Sequence, residues 1–385
     1  MKNKISSRVE NGHPWIFANE VNHMEASIKG GEIVEVFTHD KKFIGKGYIN
    51  PKSQILVRLL TRDISEVIND EFFFKKIKQA RDYKSKIGYT ENCRLVFGEA
   101  DYLPGLIIDK FNDYLVIQTL ALGIDKWKPA VVKALEEIFK PKGIYERNDV
   151  PVRELEGLEQ QKGYLSLPFD TNIIITENGL QFHVDIENGQ KTGYFLDQQD
   201  NRRALKNIVQ GAEVLEVFCY TGTFSAHAAH YGAKKVMGID ISENAVIQAR
   251  KNALLNGLQD ICTFEAMNAF DLLKAWAKER RQYDVVILDP PAFTKSRANI
   301  DKAIAGYKEI NLRALKLIKK GGFLVTASCT NLISPELFLQ IIDSAARDAK
   351  RKLRQVTFQT QSSDHPVIHG MENTQYLKFL IAEVQ

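Results

Sequence analysis

Hydrophobic positions in the second half of the chain form short, nearly unbroken apolar runs that are separated by segments with helical spacing. The runs cover residues 214–218, 236–239, 285–288 and 323–327. Strands without a polar face are buried on both sides, which is typical of a parallel sheet with helices on each face. The pattern therefore predicts a doubly wound α/β sheet from about residue 187 onward. A final apolar run at 376–382 predicts an additional strand at the edge of that sheet.

The first half of the chain has a different pattern, in which strand signals, turn residues and amphipathic helices follow one another. Strand signals fall at residues 32–37, 55–60, 106–109, 114–118, 173–176 and 181–186. Helical spacing falls at residues 71–86 and 128–140. We therefore predict three domains: a β-rich domain at 1–68, a central α+β domain at 69–186 and the α/β domain at 187–385.

Composition agrees with an ordinary globular chain, since 44% of the 385 residues are hydrophobic and 26% are charged. No stretch approaches the roughly 18 uninterrupted apolar residues of a membrane span. The N-terminus has no apolar signal segment, so a cytoplasmic protein without a membrane partner is expected. The four cysteines have no CxxC spacing, which predicts neither a disulfide framework nor a metal site.

Charge is mildly basic, with a formal net charge of +4. This balance permits a nucleic-acid partner without requiring one. Basic residues that could contact phosphates are Lys2, Lys4, Arg8, Lys41, Lys42, Arg347, Lys350, Arg351, Lys352 and Arg354. A solvated surface is the competing interpretation of each group.

Segments that follow the predicted strands carry the candidate chemistry, because ligands bind at the carboxyl ends of strands in such sheets. Gly222 follows the first strand and permits a close backbone approach. Asp240 ends the second strand, 18 residues after Gly222, which is near the spacing at which an acid meets a ribose diol. Ser242 is a candidate N-cap for a helix over 243–256. Residues 267–270 and the Asp-Pro-Pro-Ala-Phe segment at 289–293 follow the next strands.

The glycine pattern separates two classes of cofactor. Only Gly222 is present where a dinucleotide site has GxGxxG, which disfavours a nicotinamide dehydrogenase. The spacing of Glu216, Phe218, Tyr220 and Gly222 instead resembles the ExGxGxG of S-adenosylmethionine (SAM) methyltransferases, with two glycines replaced. The alternatives are a satisfied strand-end carboxylate at Glu216 and a helix-capping acid at Asp240.

Longer motifs in a fixed order carry a resemblance to a known family. They lie at residues 8–20, 98–109, 147–157, 191–202, 289–293, 328–330 and 364–367. Over nearly its whole length the chain resembles the large-subunit ribosomal RNA cytosine-5 methyltransferases. The resemblance implies an N-terminal PUA-like domain, a C-terminal class I (Rossmann-like) methyltransferase domain, SAM as cofactor and ribosomal RNA as substrate. The sequence leaves the oligomeric state open, a homodimer included.

The resemblance also implies a set of cofactor-binding residues. They are Gln198, Asn201, Arg202, Glu216, Phe218, Tyr220, Thr221, Gly222, Asp240, Ile241, Ser242, Asn268, Ala269 and Asp289. The loop around Gly222 would surround the methionine end of SAM, Asp240 would bind the ribose hydroxyls and Ile241 would pack on adenine. Asn268 stands where the family commonly has Asp, and its amide oxygen can accept from the adenine amino group.

Methylation of cytosine at C5 requires covalent help, because C5 is a poor nucleophile. Cys329 follows the strand at 323–327 and is the candidate nucleophile that adds to C6, with a buried, inert thiol as the competing interpretation. Asp289 is the second catalytic candidate, at the polar edge of the base. Pro290, Phe293 and His365 are candidate substrate-binding residues; packing roles are the alternatives for Phe293 and His365.

Two other functions stay open at this point. One is SAM-dependent N-methylation of a purine in ribosomal RNA, which needs no thiolate, so Cys329 distinguishes it from C5 chemistry. The other is a non-catalytic RNA-binding assembly factor that keeps a SAM fold, which turnover of SAM would exclude.

Overall fold

The computed structural model describes residues 6–294 and 296–385 and groups the chain into two compact units. Unit 1 comprises Met1–Ile173, Val184–Asp197 and Ser363–Thr374. Unit 2 comprises Ile174–His183, Gln198–Ser362 and Gln375–Gln385. Lys2 and Lys4 lie outside the described residues, and the three-domain division of the sequence stays a prediction.

Helices and strands of the described residues follow the alternation seen in the sequence. The helices are α1 (Ser6–Glu10), α2 (Asp70–Lys86), α3 (Leu122–Lys126), α4 (Lys128–Phe139), α5 (Gln199–Arg203), α6 (Thr223–His230), α7 (Glu243–Leu255), α8 (Ala269–Glu279), α9 (Ile300–Leu317) and α10 (Pro335–Asp348). The strands of unit 1 and of the hairpin that follows are β1 (Trp15–Phe17), β2 (Ile33–Phe37), β3 (Phe43–Ile49), β4 (Ile55–Thr61), β5 (Cys93–Phe97), β6 (Leu106–Phe111), β7 (Tyr114–Thr119), β8 (Gly143–Asn148), β9 (Gln161–Tyr164), β10 (Asn172–Glu177) and β11 (Leu180–Asp185). The remaining strands are β12 (Glu213–Val217), β13 (Lys235–Asp240), β14 (Cys262–Ala266), β15 (Tyr283–Leu288), β16 (Ile318–Ser328), β17 (Leu353–Gln359) and β18 (Lys378–Val384). Within these described residues, no helix has the length and apolar character that crossing a membrane requires.

Unit 1 contains two sheets. The first is antiparallel with strand order β1-β4-β3-β2, and the second has the order β5-β6-β7-β8-β9. Position 47 in β3 requires glycine for steric reasons, because a Cβ there would lie 2.0 Å from the Arg58 carbonyl oxygen on β4. Apolar faces of α2 and α4, including Phe73 and Leu135, pack on the second sheet and form its core.

Unit 2 is built on a seven-stranded sheet with the order β14-β13-β12-β15-β16-β18-β17. The first five strands in this order are parallel to one another. The chain builds outward from β12 to β14 and then returns to the other side of β12 with β15, so the strand order reverses between β12 and β15. The predicted doubly wound parallel sheet is therefore confirmed.

The last strand corrects one prediction. Residues 376–382 were expected to form an edge strand, but β18 pairs antiparallel with β16 on one side and β17 on the other. The edge is β17, whose side chains are mostly half-buried or exposed. The apolar run 379–382 within β18 fits an interior strand that is covered on both faces.

Candidate active site

The carboxyl ends of β12 and β15 define the centre of the candidate site. These strands are neighbours in register, with Val217 opposite Leu288. The loop 218–222 and Asp289 therefore leave the sheet side by side, at the point where the strand order reverses. Ligands bind at this position in doubly wound sheets.

The loop after β12 has an unusual backbone. Phe218, Tyr220 and Gly222 all adopt positive φ, at 68°, 47° and 74°. A Cβ at Gly222 would lie 2.8 Å from the Phe264 ring and 2.9 Å from the Ala249 side chain, so only glycine fits there. Thr221 is held through its carbonyl oxygen, which accepts from Asn252 Nδ2 at 2.9 Å. The loop is thus fixed in a conformation that a glycine-rich sequence would adopt more readily.

Asp240 connects this loop to α7. Its Oδ2 accepts from the backbone N–H of Tyr220 at 2.9 Å, and its Oδ1 accepts from that of Ser242 at 2.9 Å. Ser242 caps α7 by accepting from Ala245 N, as predicted. Ile241 is 74% exposed, which leaves an apolar side chain beside the carboxylate for a flat ligand.

Glu216 lies beneath the loop and is only 1% exposed. Its Oε2 accepts from the backbone N–H of Ser225 at 2.8 Å. Burial raises the pKa of the Glu216 carboxyl to about 8; the Ser225 hydrogen bonds oppose this rise, and the charges of Asp289 and Asp240 add to it. Three carboxyl groups near one another favour a ligand that carries positive charge.

Gln198 and Asn201 form a hydrogen-bonded chain that ends on Asp289. Gln198 Nε2 donates to Asp289 Oδ1 at 3.0 Å, and Asn201 Nδ2 donates to Gln198 Oε1 at 2.7 Å. Asn201 is fully buried, and its Oδ1 has no hydrogen-bond partner among the described residues. The structure thus brings these two sequence candidates together with Asp289, in a position to orient its carboxylate.

The guanidinium of Arg202 pairs with Glu177 of unit 2. Its guanidinium donates twice to the Glu177 carboxylate, at 2.5 and 2.7 Å, and the residue is 1% exposed. His227 lies 3.4 Å from the same carboxylate. This buried ion pair anchors the β10 residue Glu177, and it accounts for Arg202 without a ligand.

Asn268 is the N-cap of α8. Its Oδ1 accepts from Phe270 N at 2.9 Å and from Asp271 N at 3.3 Å, and Ala269 is buried as the first residue of the helix. Both lone pairs of the amide oxygen are therefore engaged by the backbone. Accepting from an adenine amino group would require a different side-chain conformation.

The segment after β15 is partly a packing element. Pro290 is buried, whereas Pro291 is exposed. The ring of Phe293 packs against Tyr307 with centroids 4.5 Å apart and lies 6.1 Å from Phe270. Phe293 thus belongs to a small aromatic cluster, and stacking on a base would use the part of the ring that stays accessible.

Cys329 differs from the other cysteines. It follows the end of β16, and β16 is the parallel neighbour of β15, so Cys329 and Asp289 follow adjacent strands at one edge of the sheet. Cys329 is partly exposed, whereas Cys93, Cys219 and Cys262 are buried. Burial raises the pKa of Cys93 and of Cys262 to about 12 and that of Cys219 well above its usual range. Those three thiols therefore lack the lowered pKa and the exposure of reactive cysteines.

Lys378 is a candidate site residue that sequence reasoning missed. It is the first residue of β18, is 1% exposed and donates from Nζ to the carbonyl oxygens of Thr330 at 2.7 Å and Tyr376 at 2.9 Å. Burial lowers its pKa to about 8, and the neighbouring Cys329 opposes this shift. The available signal was a lone lysine inside an apolar strand sequence.

His365 belongs to unit 1 and has partners there. Its Nδ1 lies 2.8 Å from Asp364 Oδ1, and its ring lies 5.3 Å from that of Phe97. With 2% of its surface exposed, the side chain is accounted for by these contacts. A substrate-binding role for His365 stays a prediction.

Comparison with known proteins defines the class. A profile described as S-adenosylmethionine-dependent methyltransferase matches residues 161–380, which is more than half of the chain. A PUA-like domain profile matches residues 1–62. The predicted fold class, a class I methyltransferase domain with an N-terminal PUA-like domain, is confirmed, and the cofactor is SAM.

Relatives along nearly the whole chain are named "Ribosomal RNA large subunit methyltransferase I". One from Shewanella denitrificans is 40% identical, over 98% of this chain and 96% of its own length. One from Shewanella amazonensis is 41% identical, over 97% and 95%. The chain belongs to the family of these proteins. Among solved structures, a Streptococcus mutans chain described as a SAM-dependent methyltransferase superposes with a TM-score of 0.83 at 21% identity, covering 99% of this chain and 98% of its own, which shows a shared fold.

The residues of the site fit SAM. The buried carboxyl of Glu216 and its acidic neighbours suit a cationic ligand, and Asp240 with the exposed Ile241 suits a ribose and an adenine ring. The loop at 218–222 ends at Gly222, where the packing of the surrounding side chains leaves no space for a Cβ atom. When bound, SAM supplies an electrophilic methyl group.

Proposed function

We propose that this protein transfers the methyl group of SAM to C5 of a cytosine in large-subunit ribosomal RNA, with Cys329 as the nucleophile. The observation that carries the proposal is the partly exposed Cys329 at the end of β16, beside the strand that Asp289 follows. The name shared by the relatives supports ribosomal RNA as the substrate class.

Covalent catalysis makes C5 reactive. The Cys329 thiolate forms a bond to cytosine C6, and the electron pair of the C5–C6 double bond moves so that C5 becomes nucleophilic. C5 then forms a bond to the methyl carbon, the bond between that carbon and the sulfonium sulfur breaks, and S-adenosylhomocysteine is the leaving group. A base removes the C5 proton, the electron pair restores the double bond, and the sulfur–C6 bond breaks to regenerate the thiolate.

Side chains around Cys329 orient the base and the nucleophile. Asp289, held by Gln198, is positioned to hydrogen-bond the polar edge of the cytosine. Lys378 holds the Thr330 carbonyl and thereby the loop that carries Cys329. A base inside an RNA helix is inaccessible, so the target nucleotide must be extruded, and Phe293 is the aromatic side chain of this segment that can contact it.

A methylation assay tests the proposal. Protein-free large-subunit ribosomal RNA from a strain that lacks the gene is incubated with the protein and labelled SAM, and the digested nucleosides are identified by mass spectrometry. We expect labelled 5-methylcytidine. A labelled methylpurine would instead establish the N-methylation alternative. SAM binding without labelled RNA, on naked RNA and on precursor particles alike, would favour the assembly factor.

The variant Cys329→Ala tests the nucleophile. It should abolish methyl transfer and leave SAM affinity within a few-fold, because Cys329 follows β16 and does not belong to the loop that follows β12. Cys262→Ala is the matched control, since it removes a buried thiol of the same unit and should remain active. RNA containing 5-fluorocytidine should trap a covalent complex with the wild type, and normal turnover by Cys329→Ala would contradict the covalent mechanism.

A further inference from the structure

Unit 1 contains a cavity of about 410 Å³ that the proposed chemistry does not use. It is lined by the segment Gly12-His13-Pro14 before β1, by the end of β4, by α2, by residues of the turn after β5 and by residues 368–371. Trp15 Nε1 donates to Glu99 Oε1 at 2.9 Å, which joins the first of these segments to the turn after β5. Two motifs that the sequence singled out therefore meet at one cavity.

Tyr102 stands on the rim of this cavity in an unexpected conformation. It follows the 3-10 helix Gly98–Asp101 with φ 60° and ψ 25°, in the left-handed region, and 66% of its surface is exposed. Glycine or asparagine adopts this conformation more readily than tyrosine does. An exposed aromatic ring held in a strained backbone position is a candidate for contact with a ligand.

Two cations line the same cavity. Arg62 donates from Nη2 to the carbonyl oxygens of Val9 at 2.7 Å and His13 at 3.2 Å, which fixes the guanidinium and leaves its other N–H groups available. Lys76 projects from α2. Lys76 Nζ lies 5.3 Å from the centroid of the Phe72 ring. Among the described residues, neither Arg62 nor Lys76 forms an ion pair with a carboxylate within 4 Å.

The remaining wall is mixed. Leu59, Leu60 and Pro104 form a buried apolar part. The polar part includes Thr61 and the Glu99 carboxylate, which already accepts from Trp15 Nε1. An apolar surface, an exposed aromatic ring and two cations without acidic partners match the two halves of a nucleotide, its flat base and its phosphate. We propose that this cavity binds one unpaired nucleotide of the RNA substrate, with the base stacked on Tyr102 and the phosphate between Arg62 and Lys76. The inference rests on the proposed RNA substrate, and it adds a binding site separate from the Cys329 chemistry.

Binding of a labelled oligonucleotide tests the cavity directly. The probe is fluorescein-labelled hexauridylate, which contains no target cytosine, and its dissociation constant is measured by fluorescence anisotropy at several KCl concentrations. Tyr102→Ala should weaken binding about tenfold, as expected for one lost stacking contact, while Tyr102→Phe should stay within about twofold of the wild type. Lys76→Ala should lower the slope of log Kd against log salt by about 0.7, the value for one phosphate of a single strand.

Matched controls lie on the same helix. Lys78→Ala removes the same charge from an exposed position of α2, and Tyr83→Ala removes a tyrosine that is 42% exposed; neither residue lines the cavity. Both variants should bind hexauridylate as the wild type does. A 5-iodouridine version of the probe should cross-link to the peptide that contains Tyr102.

Three outcomes would overturn the inference. The first is wild-type affinity for hexauridylate in both Tyr102→Ala and Lys76→Ala. The second is an equal loss of affinity in the cavity variants and in their controls. The third is a loss of affinity in Lys76→Ala alone, which would indicate a simple anion-binding surface. These results are distinguishable from failure of the proposed function. If 5-methylcytidine forms but Tyr102→Ala binds hexauridylate as the wild type does, only the cavity inference fails. If no 5-methylcytidine forms, the proposed function fails and the hexauridylate result is interpreted separately.

Discussion

The carboxyl group of Glu216 is buried at a position where ionisation is unfavourable. It is buried beneath the loop 218–222, and its pKa of about 8 keeps it largely protonated at neutral pH. A cationic ligand bound above it would favour the ionised form. Residue 216 therefore links protonation to both stability and SAM binding.

The pH dependence of stability should reveal this group. The folded-state pKa of about 8 lies above the ordinary value of 4.5, so the folded protein binds more protons than the unfolded chain between these values. Stability from Glu216 is present at low pH and is lost as pH rises toward 8. The free energy of unfolding of Glu216→Gln minus that of the wild type should increase with pH, by at most about 1.4 kcal/mol per unit. Urea unfolding at pH 5.5, 6.5 and 7.5 measures the difference, and parallel curves would show that Glu216 titrates normally.

Lys378 should matter to both folding and turnover. Lys378→Met removes the donor to the Thr330 and Tyr376 carbonyls, which should lower the free energy of unfolding by about 1–3 kcal/mol for buried groups left unpaired. It should also lower kcat, while KM for SAM changes little, because the loop after β16 carries Cys329. Lys84→Met is the control: Lys84 is also fully buried but pairs with Asp101 in unit 1, so it should lose stability and retain kcat. Equal kcat values in both variants would remove Lys378 from the site.

The local conformation of a candidate site residue was predictable from the sequence where it follows from the neighbouring strand end or helix cap; the binding roles stay predictions. Gly222, Asp240 and Ser242 are of this kind, because strand ends and helix caps have characteristic residues. The partners of Arg202, of Phe293 and of Lys378 come from distant parts of the chain, so spacing alone gave no information about them. Their contacts emerge only from the packing of unit 2.

Elements with a strong hydrophobic pattern were predicted closely. The helix expected at 71–86 is Asp70–Lys86, and the strand expected at 285–288 lies within Tyr283–Leu288. β17 was missed because most of its side chains are accessible and its sequence has no apolar run. β17 is recognisable as a strand only from its pairing with β18, and β18 comes later in the chain.

The interior position of β18 predicts a large difference between two apolar truncations. Phe379 is 1% exposed, pairs with both neighbouring strands and stacks on Phe224, so Phe379→Ala should cost about 3–5 kcal/mol of unfolding free energy. Val356 on β17 is 51% exposed, and Val356→Ala should change stability by no more than about 0.5 kcal/mol. Chemical denaturation of both variants measures the difference, and similar losses would contradict the strand order.

At the scale of the whole molecule, the order of the long motifs indicated the family before any contact was known. The strand order of the seven-stranded sheet was not available in the same way, since hydrophobic runs show that a strand exists and not which strand it pairs with. The compact units also interleave in sequence: 174–183 and 375–385 belong to unit 2, and 184–197 and 363–374 to unit 1. No pattern along the chain signals such crossings.

Ligand-linked stability of the whole protein tests the SAM site. SAM at one hundred times its Kd should raise the free energy of unfolding by about 2.7 kcal/mol. Asp240→Ala should weaken SAM binding by roughly 1–3 kcal/mol and so reduce this stabilisation at the same SAM concentration. Asp260→Ala, an exposed acid of the same unit, is the control and should respond as the wild type does. If SAM stabilised Asp240→Ala as much as it stabilises the wild type, Asp240 would not belong to the site.

The position of β18 has a consequence for biosynthesis. Because β18 lies between β16 and β17 but is translated after both, β16 leaves the ribosome with one side of its hydrogen-bonding groups unpaired, and β17 has no sheet to join. Exposed strand edges of nascent chains are the species that aggregate or recruit chaperones. The loop with Cys329 also lacks its Lys378 anchor during this interval, so the proposed nucleophile becomes fixed only as the sheet is closed.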